Sequence, residues 1–373
     1  MQKRRKSGLK WRRRSAGSEL MSYGNAAKYG YSNTRVKAMK AKLLDGAAID
    51  NLMAAKDDIS ALAMLFQTDY KKSISDFGGM DIKSKQIDFA LNRNFAERVG
   101  KVADMTPKKD KWIVKQLINK WYIYNVKTAL EAKDRNYPYV SVEQNLLMLE
   151  PFTPKVILQA MGESSVDKML EKLIVSAREY RNMLKEALSA YRRNSNILDA
   201  IFTMDKIYYT GLFALANKIE RSNANISHMI RYDINMKDVM TLLRAKKIGL
   251  KFSEIKDYIV YRQKLEFFEK IFNDSNSVET LAMQIKAFDL KEAASIYKAG
   301  GEKELLPFEM EMRNSIFKNA SRILTGSMLS LDVLAAYVYL KEVEMLNTRA
   351  ILKGKHYGLG KDEISRLIVW KAG

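Results

Sequence analysis

The chain has 373 residues and a formal net charge of +21 at pH 7, with 64 Lys or Arg against 43 Asp or Glu. It has no cysteine and two histidines, which excludes disulfides, thiolate metal sites and cysteine nucleophiles and disfavours a histidine-based metal site. The length allows two or three core-bearing units, and 20 methionines beside 5 prolines favour helices. The positive charge favours an acidic protein surface, anionic lipid or nucleic acid as a partner, without choosing among them.

Residues 1–20 form a basic segment with eight Lys or Arg and one Glu. Because like charges dominate and hydrophobic periodicity is weak, we predict a disordered tail. No apolar stretch of about 7 to 15 residues follows, so no secretory signal is predicted. An equally good interpretation is that Met21 is the native start and that residues 1–20 come from a mis-assigned gene start.

From Ala26 onward the sequence predicts helices separated by short breaks. Runs typical of strands are few, which indicates an all-α fold. The apolar run Val333–Leu340 falls short of the ~20 residues that cross a bilayer. Glycine and proline mark the breaks, at Gly46, Gly78–Gly79, Pro107, Pro138, Pro151, Pro154, Gly162, Gly249, Gly300–Gly301, Pro307 and Gly354.

The most informative feature is an internal repeat. Three segments align without gaps in the pattern (N/D)-x-x-(T/A)-x-L-x-(A/G)-K: Asn125–Lys133, Asp238–Lys246 and Asn347–Lys355. The motifs start 113 and 109 residues apart, and the second and third copies continue to match through Gly-Leu, Glu-Ile and Ile-Val pairs. We therefore predict three related helical units, at 21–137, 138–250 and 251–373.

Each motif is preceded, by 33, 33 and 34 residues, by a further polar residue: Asn92, Asp205 and Arg313. The helix that carries Asn125 is apolar on most sides, which is typical of a central helix. Because a buried asparagine needs hydrogen bonds, we predict that Asn125 and Asn347 pair with another helix of their unit. The upstream Asn92 and Arg313 are the candidates. In the second copy both positions are Asp, so that pairing needs a cation, a protonated carboxyl or a different geometry.

No catalytic constellation can be assembled, and we assign no catalytic, cofactor-binding or metal-ligating residue and no small-molecule substrate. The stretch Gly354–Lys361 has the glycines of a phosphate-binding loop at the wrong spacing, so we predict helix ends joined by a turn. The 19 tyrosines beside many Lys and Arg leave one alternative function, a basic helical-repeat protein that binds nucleic acid. Most of these tyrosines lie in amphipathic helices, where burial in a core is the ordinary outcome.

The two ends of the chain resemble a known family. Tyr29–Leu44 (YGYSNTRVKAMKAKLL) resembles the opening of the C subunit of archaeal and bacterial A/V-type ATP synthases, the counterpart of the d subunit of eukaryotic V-ATPases. Glu342–Leu359 (EVEMLNTRAILKGKHYGL), followed by Glu363–Trp370 (EISRLIVW), is similar to the last unit of that family. The resemblance extends from about residue 22 to the end and does not include residues 1–20.

The resemblance implies a funnel-shaped, all-α bundle of three related units with pseudo-threefold symmetry. It implies a non-catalytic central-stalk (rotor) subunit, which couples the membrane rotor ring to the soluble central shaft for ATP synthesis or ATP-driven ion transport. The implied partners are the ring and shaft subunits, with the membrane surface as a peripheral contact at the cytoplasmic face of the cell membrane. No cofactor and no nucleic acid are expected.

Basic side chains cluster in and after the second and third motifs: Arg244, Lys246, Lys247, Lys353 and Lys355. They lie near the C-termini of predicted helices, where the helix dipole favours positive charge. A second interpretation is that some of them bind acidic residues of a partner or lipid phosphates.

Overall fold

The computed structural model describes residues 26–76, 84–285, 305–326 and 329–369, and every regular element within these ranges is a helix. This confirms the all-α prediction. The tail predicted at 1–20 and the breaks predicted at Gly78–Gly79 and Gly300–Gly301 lie outside the described residues. No helix within the described ranges has both the length and the apolar character that crossing a membrane requires.

The N-terminal part of the chain forms four shorter helices and then two long ones. Asp45 and Asp57 each begin a helix, because their carboxylates accept the backbone N–H of Ala48 and Ser60. In chain order the helices are α1 (26–40), α2 (Gly46–Ala54), α3 (Asp58–Leu65), α4 (Lys71–Ser75), α5 (Ser84–Met105) and α6 (Lys111–Asp134).

The middle part repeats this order, with shorter helices before two long ones. Thr153, Ser165 and Asn196 accept backbone N–H groups at the starts of their helices, and Pro154 occupies a first-turn position where its missing donor costs nothing. The helices are α7 (Tyr139–Val142), α8 (Pro154–Met161), α9 (Val166–Ser176), α10 (Arg181–Asn194), α11 (Ile197–Ile219) and α12 (Ala224–Lys247).

The C-terminal part again carries two long helices, followed by a short one. Ser277 caps one of the short helices through the N–H of Thr280. The helices are α13 (Phe252–Ile255), α14 (Leu265–Asp274), α15 (Val278–Gln284), α16 (Leu306–Thr325), α17 (Leu331–His356) and α18 (Lys361–Ser365).

The long helices form three pairs, and the contacts between pairs close a ring. Within the pairs, α5 packs on α6, α11 on α12 and α16 on α17. Between them, α6 packs on α11, α12 on α16, and α17 returns to α5. The second helix of each pair therefore contacts the first helix of the next, and the last pair joins the first.

Shorter helices cover the second helix of each pair. α8 and α9 pack on α6, and α13 and α15 pack on α12, so contacts cross the predicted unit boundaries at 137/138 and 250/251. α17 is covered by α2 and α3, which come from the other end of the chain. The division into 21–137, 138–250 and 251–373 stays a prediction, and the ring is closed by N-terminal residues that pack on the last long helix.

α17 is buried along most of its length, including its apolar run Val333–Leu340. It also buries Lys341, whose ammonium binds Glu344 and lies 4.3 Å from the ring centre of Tyr70. Glu344 in turn accepts the Tyr70 hydroxyl at 2.8 Å and the Leu44 N–H at 2.7 Å. Because the partners of this buried carboxylate come from two N-terminal segments, the ion pair fixes those segments to α17.

Candidate functional site

The first and third motifs use their asparagine to hold a non-helical segment 22 residues downstream. The Asn125 side chain accepts the Leu147 N–H at 2.9 Å and donates to the Leu147 carbonyl at 2.7 Å and the Phe152 carbonyl at 2.8 Å. Asn347 accepts the Val369 N–H at 2.8 Å and donates to the Val369 carbonyl at 3.1 Å. Both asparagines are buried, so these bonds satisfy backbone groups that water cannot reach.

The second motif does the same work with a carboxylate. Asp238 accepts the N–H groups of Val260 at 2.9 Å and Tyr261 at 3.0 Å, and Val260 is again 22 residues downstream. Burial raises the pKa of the Asp238 carboxyl, while Lys237 at 3.5 Å and the two amides act in the opposite direction. Asp205 binds Lys127 instead of facing Asp238, so of the three alternatives predicted for this copy the structure shows a different geometry, with a lysine beside each carboxylate.

The predicted pairing of Asn125 with Asn92 is wrong. Asn92 donates to the carbonyls of Gln144 at 3.0 Å and Leu146 at 3.3 Å, so the two asparagines hold neighbouring residues of one segment. Arg313 donates to Glu309 at 2.9 Å rather than to Asn347. The physical reason is that a residue outside a helix offers its N–H and C=O together, which matches both halves of a carboxamide.

The upstream residues lie instead at the joints of the ring. Asp205 on α11 accepts Lys127 of α6 at 2.8 Å, and Lys127 lies two residues after Asn125. Arg349 lies two residues after Asn347 and joins α17 to α5, where it donates to Asn92 at 2.5 Å and Asp88 at 2.9 Å. Two joints therefore use the same repeat position.

The joint between α12 and α16 departs from this pattern. The position two residues after Asp238 is Met240, which is buried and carries no charge. The ionic contact comes from Arg244, which reaches Glu309 of α16 at 2.7 Å, and Glu309 also holds Arg313. Each of the three joints thus carries at least one charged contact, although the third is built from different residues.

Four of the five basic residues proposed for partner binding have a contact within the chain. Lys355 donates to the carbonyls of Met53, at 2.8 Å, and Ala55, at the C-terminal end of α2. The corresponding residue of the first motif, Lys133, donates to the Met161 carbonyl at the end of α8, at 3.1 Å. The other contacts are Arg244 with Glu309, Lys246 with the Phe272 ring and Lys353 with Asp88. Lys247 is exposed and has no such contact within the described residues. Partner binding by the five stays a prediction.

The second helix of each pair ends in the same turn. Asn136, Gly249 and Gly358 adopt positive φ angles of 55°, 77° and 74°, and the next residue donates its N–H back into the last turn, at 2.8 to 3.0 Å. This confirms that Gly354–Lys361 is a helix end followed by a turn. Each turn exposes a large apolar side chain, by 53% at Tyr137, 71% at Ile248 and 75% at Tyr357. We call these three turns the helix tips.

The three long helices that carry the motifs also share a cavity of about 60 Å³. Its walls include the residues five positions before each motif, Lys120, Asp233 and Glu342, and those eight positions before it, Leu117, Ile230 and Tyr339. Lys120 and Glu342 form an ion pair of 2.5 Å. Equivalent residues of all three copies thus meet at one place, which we call the central cavity.

Comparison with known proteins shows which family has a sequence like that of this chain. The sequence model of the ATP synthase (C/AC39) subunit family matches residues 32–367. The chain belongs to this family. The C subunit of the A-type ATP synthase of Methanococcoides burtonii is 25% identical over 361 residues, which cover 94% of this chain and 97% of the relative. The corresponding A-type protein of Methanocaldococcus jannaschii is 22% identical, covering 92% and 86%, and the C subunit of the V-type ATP synthase of Deinococcus radiodurans is 22% identical, covering 95% and 96%.

In this member of the C/AC39 family, the repeated polar residues hold backbone and join helices. The described residues contain no group of three His, Cys, Asp or Glu side chains placed to hold a metal ion. Sequence reasoning missed the joint residues Lys127 and Arg349 and the cavity residues Lys120, Asp233 and Glu342. The signal was available, because each group occupies a fixed offset from the motif.

Proposed function

We propose that the chain is a non-catalytic central-stalk (rotor) subunit of an A/V-type ATP synthase or ATPase, which couples the membrane rotor ring to the soluble central shaft. The observation that carries the proposal is the closed ring of three long-helix pairs, with a charged contact at every joint. The three similar proteins named above are C subunits of A-type and V-type ATP synthases.

A closed ring suits a part that transmits torque. In an open stack the terminal units can bend away, whereas here Arg349 fixes the last pair to the first, and the buried ion pair of Lys341 with Glu344 fixes Leu44 and Tyr70 of the N-terminal part to α17. Close-packed interiors deform little under load, because their side chains have no free volume to move into. The fold therefore has the stiffness that a mechanical adaptor needs.

The same contacts support a pseudo-threefold bundle. Each pair meets the next through corresponding helices, and corresponding residues of the three motif helices line the central cavity. A rotation about an axis through the cavity relates such contacts, and under that rotation the three helix tips face the same end. The units 21–137, 138–250 and 251–373 and the funnel shape belong to this proposal.

The axis and the tips suit different partners. A rotor ring has its protein displaced from its own axis, whereas the foot of a shaft lies on the axis. The helix tips are off the axis and about 22 Å further along the motif helices than the cavity. We assign the tips to the ring and the membrane surface beside it, and the central cavity to the shaft, at the cytoplasmic face of the cell membrane.

Purification of the tagged chain from detergent-solubilised membranes tests this function. Ring and shaft subunits of one rotary ATPase are expected to co-purify with it, and a salt wash is expected to release them together or in sequence. Recovery of neither would contradict the proposal. Binding of RNA or DNA near physiological ionic strength, with affinity falling steeply as salt rises, would favour the alternative, a nucleic-acid-binding helical protein.

A further inference from the structure

The central cavity is threefold in position but not in charge. Lys120, Asp233 and Glu342 occupy the same place in the three motif helices, yet one is cationic and two are anionic. Lys120 and Glu342 neutralise each other at 2.5 Å. Asp233 is half-buried, and among the described residues it accepts no hydrogen bond and forms no ion pair. Asp233 is therefore a carboxylate of the cavity lining without a direct partner among the described residues.

Neighbouring cations form their ion pairs elsewhere. Arg313 binds Glu309, and Lys237, four residues after Asp233, lies 3.5 Å from Asp238. The two tyrosines of the lining, Tyr208 and Tyr339, add no charge at pH 7, since the ordinary pKa of the hydroxyl is already 10.0 and burial raises the pKa of both further. A carboxylate in a largely apolar recess interacts with an opposite charge more strongly than it would in open water.

The geometry points to Asp233 as the binding residue for one lysine or arginine side chain at the foot of the shaft, received in the central cavity. The inference rests on the proposed function. The space, about 60 Å³, is enough for a side-chain head group and too small for a helix. The proposed function puts the shaft, and not the ring, on the axis through this cavity.

This contact would also fix the rotational orientation of the shaft relative to the chain. The corresponding lining residues Leu117, Ile230 and Tyr339 differ in shape but are all uncharged, so they do not distinguish three orientations of a shaft by charge. A carboxylate without a direct partner on one wall favours a single orientation. Asp233 would thus resist slipping between the chain and the shaft, in addition to adding affinity.

A binding measurement with the purified shaft subunits of the same ATPase tests the inference. Asp233→Asn keeps the side-chain shape and removes the charge, and it is expected to raise the Kd by about tenfold at low salt, with a smaller effect as salt rises. Glu186→Gln on the outer helix α10 is the matched control and is expected to leave the Kd unchanged, because Glu186 is exposed and distant from the cavity lining.

A second measurement does not depend on affinity. The chain has no cysteine, so Asp233→Cys gives a unique site for a small cationic methanethiosulfonate reagent. Bound shaft is expected to slow its labelling by about tenfold or more, and to leave Glu186→Cys unaffected. Shaft binding with unchanged Kd for Asp233→Asn and unchanged labelling would overturn this inference alone. Failure of the unmodified chain to bind the shaft would overturn the proposed function and the inference together.

Discussion

At the scale of single residues, the first residue of each motif binds a downstream backbone segment, although its side chain is not the same in the three copies. Two asparagines and one aspartate bind a backbone segment at the same distance along the chain, 22 residues. A carboxamide offers a donor and an acceptor, so it pairs with one peptide group, whereas a carboxylate accepts two N–H groups. What the three copies share is a buried polar side chain that fixes the segment after the helix tip.

Asn347→Ala is expected to lower the free energy of unfolding by about 2 to 4 kcal/mol, because the Val369 N–H and C=O would stay buried without partners. Urea unfolding measures the change. Asn273→Ala, at an exposed position of α14, is the control and should stay within about 0.5 kcal/mol of the parent chain. Equal effects of the two substitutions would refute the role given to Asn347.

Asp238 predicts a pH dependence. Its pKa in the folded chain is raised above 3.8 by burial, so between the unfolded and folded pKa values the native state binds more protons. This carboxyl therefore contributes less to the free energy of unfolding as pH rises from about 4 through its folded pKa, and a constant amount above it. The difference in urea stability between the parent chain and Asp238→Asn should fall over that range. A difference that rises with pH would contradict the prediction.

At the scale of helices, the ring depends on three joints of unequal chemistry. Of the three joints, that of α17 with α5 has the most buried acidic partner, since Asp88 is 2% exposed and binds both Arg349 and Lys353. Lys127 and Asp205 keep about a quarter of their side chains exposed. Salt therefore screens the joint of α6 with α11 more than it screens the closing joint.

A double-mutant cycle of Arg349→Met with Asp88→Asn should give a coupling energy of about 1 to 3 kcal/mol, because each partner alone leaves a buried charge without its full set of contacts. The exposed pair Lys168 and Glu171 within α9 is the control, and its cycle should give no coupling above the error of the measurement. Chemical denaturation measures both. Equal couplings would mean that the closing joint adds nothing beyond a surface ion pair.

Gly354 permits the close contact of α17 with α18. A Cβ at this position would lie 2.6 Å from Ile364 Cγ1, so Gly354→Ala should destabilise the chain by about 1 to 3 kcal/mol. Adding Ile364→Ala removes the clashing atom, so the double substitution should cost less than the sum of the two. Gly100→Ala in α5 meets nothing within 4 Å and should be neutral or stabilising. Additive costs at 354 and 364 would rule out the clash.

At the scale of the whole molecule, the sequence predicted the helical class and contained the threefold motif, whereas a pseudo-threefold bundle was expected only from the family resemblance. Helical periodicity and a repeat are local properties, so residues 125, 238 and 347 could be found in advance. The backbone segment that Asn125 binds could not be found from the sequence, because the path of the chain after Pro138 depends on tertiary packing. For the same reason, the closure of α17 on α5 and on the N-terminal helices α2 and α3 was not predicted.

The most direct test of the account is photo-crosslinking in native membranes from two positions of one chain. A photoreactive residue at Tyr357, on an exposed helix tip, should form an adduct with a rotor-ring subunit, and one at Asp233, in the central cavity, should form an adduct with a shaft subunit. Adducts of both positions with the same partner, or the reverse assignment, would contradict the proposed orientation. Adducts without any rotary ATPase subunit would contradict the coupling function itself.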